Sequence, residues 1–183
     1  MITGSFTFVT GNPSKAEQLG WHLQMDEAPA HAKIDVEEIQ SLDLSKVVEY
    51  KAKSAYRVLR TPVLVEDISL RFQALGKLPG PLIKWFLLEL GNDGLAKLVD
   101  AYSSRAALAE VAFAYYDGQE VQQFRGRVEG SVAPKPRGEQ GFGWDPIFIP
   151  EGSQLTWAEM SKKEQVQTSV RRLALAELSA ALA

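Results

Sequence analysis

Five stretches of this 183-residue chain gather residue types that can hold an anion, a cation or a planar ring. The first is Thr10-Gly-Asn-Pro-Ser-Lys15, set between a β-prone run, Phe6–Thr10, and a segment of helical periodicity from Ser14 to Met25. A helix N-terminus offers unpaired N–H groups and the positive end of the helix dipole. Small residues there let an anion approach, and Lys15 adds a charge in the first turn. The combination suits a phosphate tail, although the spacing is not that of the GxxxxGK[ST] loop. A capped surface helix with a solvated Lys fits the same residues.

Glu66-Asp67, directly after the apolar run Val63-Leu-Val65, form the second. Ligands of α/β proteins collect beyond the carboxyl ends of strands. Adjacent acids there can hold Mg2+ and orient a water for attack on phosphorus. Strand alternation predicts that only one of the two points directly into a site. Glu37 or Glu38 can supply another oxygen, although solvated turn acids are the plainer reading of that pair. The third stretch is Gly141-Phe-Gly-Trp-Asp145-Pro. Phe142 or Trp144 can stack on a planar base, and Asp145 or the backbone can read its edge. A core aromatic cluster under a loop is the competing explanation. In the fourth, Leu78-Pro-Gly-Pro-Leu-Ile-Lys84-Trp85, a rigid loop precedes a Lys able to sit over phosphates. The fifth is Ser169-Val-Arg171-Arg172, whose arginines can clamp an anion or simply solvate a helix face.

The elements that must carry these stretches follow from periodicity and punctuation. Asn12 is a good N-cap, and Pro13 suits the first helical position. A second helix is predicted over Leu44–Leu59, ended by Pro62, and a short strand over Val63–Val65. Ile83–Leu90 reads as a short helix closed by Gly91, with another over Asp93–Ala101. Asp117-Gly118 between Ala107–Tyr116 and Glu120–Val128 is a hairpin signal. The stretch after Gly130 is rich in Gly and Pro, as a shaped loop is, and a last helix is predicted from about Val166 to Leu182. Early alternation of strands and helices with a late hairpin gives an α/β or mixed α+β fold with a mixed sheet. No linker divides the chain, so one domain over 1–183 is expected.

Composition narrows the function classes. Apolar residues make up 45% and charged residues 23%, as in a globular protein. The net charge of −3 gives no basic footprint for nucleic acid. The absence of Cys removes disulfides, thiolate metal sites and Cys nucleophiles. With only His22 and His31, a His-rich metal site or a Ser-His-Asp triad is not expected. The first residues do not read as a signal peptide, and no apolar run approaches the roughly 20 residues of a membrane span. A cytoplasmic protein is therefore expected.

Taken in order, the segments resemble the inosine triphosphate pyrophosphatase, or HAM1-like, family. The resemblance rests on Phe8–Lys15, Val63–Asp67, Phe72–Phe86, Gly94–Leu98, Phe124–Arg127, Phe142–Pro146 and Thr156–Met160, which span nearly the whole chain. It implies an elongated central mixed sheet flanked by helices, two lobes with a nucleotide groove between them, and a homodimer. The implied reaction is Mg2+-dependent hydrolysis of ITP, dITP or XTP to the monophosphate and pyrophosphate, which cleanses the nucleotide pool. By matching position, Thr10, Gly11, Asn12 and Lys15 would hold phosphates, with Lys51 and Lys84 adding charge. Glu38 and Asp67 would bind Mg2+. Asp67 would also activate water, with Glu66 beside it. Phe142, Gly143, Trp144 and Asp145 would form the base pocket.

The chain also departs from the family pattern. Ile68 stands where the resemblance implies a Ser or Thr touching phosphate. Gln165 and Val170 stand where it implies a Lys and a His that contact the base, while Ser169 and Arg171 remain. Gln18 replaces an acid, although Glu17 is adjacent, and the match at Glu38 needs a one-residue shift. The phosphate end is thus nearly intact and the base end altered. Two alternatives remain: the same chemistry on a different base, or a nucleotide-binding protein that has lost turnover.

Overall fold

The computed structural model describes residues 5–182. It contains seven strands and five α-helices in the order β1 (Thr7–Val9), α1 (Pro13–His22), β2 (His31–Ala32), α2 (Leu44–Leu59), β3 (Val63–Phe72), β4 (Pro79–Gly80), α3 (Ile83–Lys97), β5 (Ala106–Tyr116), β6 (Val121–Val132), β7 (Phe148–Pro150), α4 (Lys162–Gln167) and α5 (Val170–Leu182). The strands form one open sheet in the order β2-β1-β3-β5-β6-β7, with β4 paired to β3. β1 pairs parallel with β2 and β3, whereas β3–β4 and β6–β7 are antiparallel, so the sheet is mixed as expected. The chain forms two compact units that interleave in sequence. One comprises the chain up to Asp67, Val111–Gly126 and the chain from Arg171; the other comprises Ile68–Glu110 and Arg127–Val170.

In the first unit the helix ends follow their capping residues. Asn12, in an extended conformation, accepts the N–H of Ser14 at 3.1 Å, and Pro13 opens α1. Asp43 caps α2 in the same way through Ser45, and Arg60 in the left-handed region closes that helix. The period of two along β3 decides what each face buries. Val63 and Val65, with Val9, pack in one cluster with Leu44, Val48, Ala52 and Ala55 of α2. Leu64 is opposite Phe8 in register, and Phe8 meets Phe113 at 6.4 Å between ring centroids. Each such fully buried side chain contributes about 1.5–3 kcal/mol.

The strand predicted to stop at Val65 instead continues to Phe72. Glu66 and Asp67 therefore lie inside β3, not beyond its end. Acids are poor strand formers, but basic side chains compensate both carboxylates, and the apolar alternation resumes with Leu70 and Phe72.

The second unit has its own core, in which Leu70, Phe72, Ile83, Leu95, Ala107, Ala109, Ile147, Phe148 and Trp157 are buried together. Gly91 (φ 62°, ψ −179°) breaks α3, so the two helices expected there are real segments joined at a sharp bend. On the opposite sheet face Glu110 is buried between Arg71 and Arg127 of the neighbouring strands. The helix expected from Val166 is two helices. α4 opens on a Ser161–Glu164 capping box, and α5 begins at Val170.

Candidate active site

The first unit carries the Thr10–Lys15 turn and the carboxylates of Glu38, Glu66 and Asp67. The Thr10–Lys15 turn is built by its own short side chains: Thr10 Oγ1 accepts the Asn12 N–H at 3.1 Å, and the Asn12 carbonyl accepts the Lys15 N–H at 3.1 Å. Thr10, Gly11, Asn12 and Lys15 are thus brought into one turn at the start of α1. A residue that sequence spacing missed joins them. The stem of Lys33 runs so close to Gly11 that a Cβ there would sit 3.4 Å from its Cδ. No periodicity marks Lys33, because it follows a two-residue strand rather than a helix.

Strand alternation sends the two acids of β3 to different partners. Asp67 shares the face of Val63 and Val65, toward α2, and lies 3.6 Å from the Lys51 Nζ of that helix. Lys51 Nζ also meets Glu38 Oε1 at 2.8 Å, so one ammonium joins Glu38 and Asp67. Burial opposes the charge on Lys51, but Asp67, the Glu38 hydrogen bond and Glu66 outweigh it and raise its pKa above 10.5. Glu66 points the other way. It lies 3.8 Å from Lys15 Nζ and bonds the guanidinium of Arg171 at the start of α5. Glu37 is spent elsewhere, accepting the Tyr50 hydroxyl at 2.7 Å.

Glu38 and Asp67 offer hard oxygen donors on either side of a cation, the chemistry a Mg2+ ion requires. Among the described residues no three acidic or His groups gather into a complete metal cage. An ion there would take its remaining ligands from phosphate oxygens and water, as Mg2+ commonly does.

His22, at the end of α1, titrates below its usual 6.5 because of burial and then the charges of Arg171 and Arg172. A depressed His stabilises the fold above its unfolded pKa, and that contribution is lost as pH falls through the folded value. The drop in Tm between about pH 7 and about pH 5 is therefore expected to shrink in His22→Gln. An equal drop in both proteins, read by thermal melts, contradicts it.

The second unit carries the aromatic loop. Phe142 is 66% exposed, its ring open to a ligand. Trp144 is buried instead, 5.8 Å from Phe148 and 5.5 Å from Trp157 between ring centroids. Of the two aromatics that the sequence offered for stacking, one is a ring on the surface and the other is core. Asp145 Oδ2 accepts the Phe142 N–H at 2.9 Å. Gly141 (φ 79°) permits this, since a Cβ would stand 2.1 Å from that carboxylate oxygen. Gly143 also lies in the left-handed region, and its carbonyl accepts the Asn92 side-chain amide at 2.9 Å. Lys84, exposed on α3, sits 5.3 Å from the Trp85 ring centroid. Ile68 and Val170 pack against the apolar core. Gln165 Nε2 donates to the Trp157 carbonyl at 2.6 Å, and Ser169 lies in the short connection between α4 and α5.

The Ham1 family model matches residues 6–181. The chain belongs to the Ham1 family. Its relatives include an "Inosine triphosphate pyrophosphatase 2" of Trypanosoma cruzi, 43% identical over 95% of this chain and 90% of that protein. Among solved structures, a HAM1 protein from Coxiella burnetii superposes with a TM-score of 0.85 at 25% identity, covering 98% of each chain. A nucleoside-triphosphatase described as a dITP/XTP pyrophosphatase from Mycobacterium abscessus gives 0.81 at 26% identity, over 96% of this chain and 98% of that one. In this Ham1 protein, then, the phosphate-type and acid residues belong to one unit. Lys84, the aromatic loop, Gln165 and Val170 belong to the other.

Proposed function

We propose that this Ham1 protein hydrolyses ITP, and with it dITP and XTP, to the nucleoside monophosphate and pyrophosphate. The observation that carries the reading is the arrangement of cations and carboxylates in the first unit. The Thr10–Lys15 turn and Lys51 offer positive charge beside Glu66, Asp67 and Glu38. Relatives named inosine triphosphate pyrophosphatase and dITP/XTP pyrophosphatase support the substrate class.

In the proposed reaction the linkage between the α- and β-phosphorus atoms breaks. A water oxygen adds to phosphorus, its proton passes to the Asp67 carboxylate, and pyrophosphate leaves. Thr10, Gly11, Asn12 and Lys15 bind the phosphates, and Lys51 and Lys84 offset their charge, with Glu66 held between Lys15 and Arg171 beside them. Preorganised charge of this kind is the main resource of phosphoryl transfer. Glu38 and Asp67 would hold Mg2+, which when bound neutralises phosphate oxygens. Phe142 stacks on the base, and the backbone around Gly143, Trp144 and Asp145 lines it, with Ser169 and Arg171 near the altered stretch. The reading includes a cytoplasmic homodimer with no nucleic-acid or membrane partner; no helix among the described residues is long and apolar enough to cross a membrane.

Gln165 and Val170 favour a relaxed base preference as the second reading. The Gln165 amide is committed to the Trp157 carbonyl, and Val170 brings no polar atom. A base edge left without a partner costs about 1–3 kcal/mol. The Gln165→Lys/Val170→His double variant is therefore expected to raise the ITP-over-GTP ratio of kcat/KM by about tenfold or more. An unchanged ratio removes these two positions from base selection. Pyrophosphate release measured over ITP, XTP, dITP, the four NTPs and the dNTPs tests both readings. Binding without release on any nucleotide supports the non-catalytic alternative.

A further inference from the structure

We propose that Asn92 is a positioning residue for base recognition, acting through the Gly143 carbonyl to fix where Phe142 stands. The inference deepens the functional reading above and rests on it. Asn92 directly follows Gly91, the residue at which α3 loses helical geometry (φ 62°, ψ −179°). From that bend it reaches 51 residues along the chain to donate its amide to Gly143 at 2.9 Å. Only a donor fits opposite a carbonyl, so the amide orientation is fixed.

The other half of the same side chain is unusual. Asn92 Oδ1 is shielded from solvent and has no hydrogen-bond partner. A buried unpaired acceptor opposes folding, so the contribution this side chain makes at the joint comes from its donor half, the amide held on Gly143.

Phe142 needs such a tether. Its ring is two-thirds exposed, so packing does little to hold it. Two polar contacts flank it instead: Asp145 accepts the Phe142 N–H, and Asn92 donates to the carbonyl of the next residue. Both neighbouring glycines have positive φ, at 79° and 66°, so the backbone there is free to adopt other conformations once a tether is lost. Asn92 thus sets the backbone from which the stacking ring projects.

The test compares wild type, Asn92→Ala, Phe142→Ala and the double variant, with the isosteric Asn92→Asp as a second removal of the donor. ITP turnover is measured alongside inhibition by inorganic tripolyphosphate, which has no base. Asn92→Ala is expected to raise KM for ITP by about 5- to 30-fold, with kcat changed less than about 3-fold. Tripolyphosphate inhibition should stay within about twofold of wild type. Added to Phe142→Ala, the change should have almost no further effect, because it acts through that ring. Asn92→Asp should reproduce the KM effect, which keeps the test valid if the Ala variant folds poorly. Three results overturn the proposal: an unchanged KM, an equal loss of tripolyphosphate binding, or full additivity with Phe142→Ala. Wild type that does not turn over ITP overturns the functional reading and this inference with it. Wild-type turnover with a silent Asn92 overturns the inference alone.

Discussion

Asp67→Asn is expected to lower kcat for pyrophosphate release from ITP by about 10²- to 10⁴-fold, the usual contribution of a positioned general base. Asp67 shares a face with Val63 and Val65, which the α2 core anchors, so its carboxylate is fixed by burial two and four residues upstream. The Lys51 ammonium stands 3.6 Å from it as a counter-ion. The amide of Asn has nearly the same shape and no basic lone pair of comparable strength. Because Lys51 retains Glu38 at 2.8 Å, the fold should tolerate the change, with Tm within a few degrees of wild type. Stopped assays for pyrophosphate, read beside a thermal melt, check both parts. Retained kcat would move the base elsewhere, with Glu66 next in line.

Lys51→Met carries the second large effect. It deletes the ammonium that joins Glu38 to Asp67, in a largely buried position. Two consequences follow. Nucleotide phosphates lose a fixed cation, so kcat/KM for ITP should fall by about 10²-fold or more. The two acids also lose their shared counter-ion, and removing one partner from such a cluster destabilises the fold. The sign with pH is defined. A Lys whose folded pKa is raised contributes stability that is fully present below 10.5 and fades as pH climbs through the higher folded value. The Tm deficit of Lys51→Met should therefore be full at neutral pH and shrink only in strong alkali. A deficit that appears only under acid conditions contradicts the assignment.

Much of this arrangement was legible in the sequence, for physical reasons that can be named. α2 matches its predicted bounds, Leu44–Leu59, because Asp43 caps it and Arg60 in the left-handed region, followed by Pro62, ends it. Gly91 marked the bend in α3 because its positive φ suits glycine. Strand alternation anticipated that Glu66 and Asp67 would face different ways, and they do, toward Lys15 with Arg171 and toward Lys51.

What the sequence left obscure depended on contacts distant along the chain. β3 outran its apparent end because bases from α1, α2 and α5 compensate its two acids, and no local propensity records that. Trp144 and Phe142 are equally aromatic, yet one joins Phe148 and Trp157 in the core and the other lies on the surface. Only the fold of the loop, set by Asp145 and the positive-φ glycines, separates them. Asn92 carried no motif at all, since its partner lies 51 residues away. The single break near Thr168 that divides the last helical region was likewise hidden, because Val166–Leu182 reads as one apolar-rich helical stretch.

The most direct measurement is the product pattern of wild type with ITP and Mg2+, with Asp67→Asn beside it. IMP and pyrophosphate are expected in equal amounts, with no inorganic phosphate formed stepwise and near-complete loss in the variant. Release of inorganic phosphate with IDP, or equal turnover by the variant, contradicts the proposed reaction.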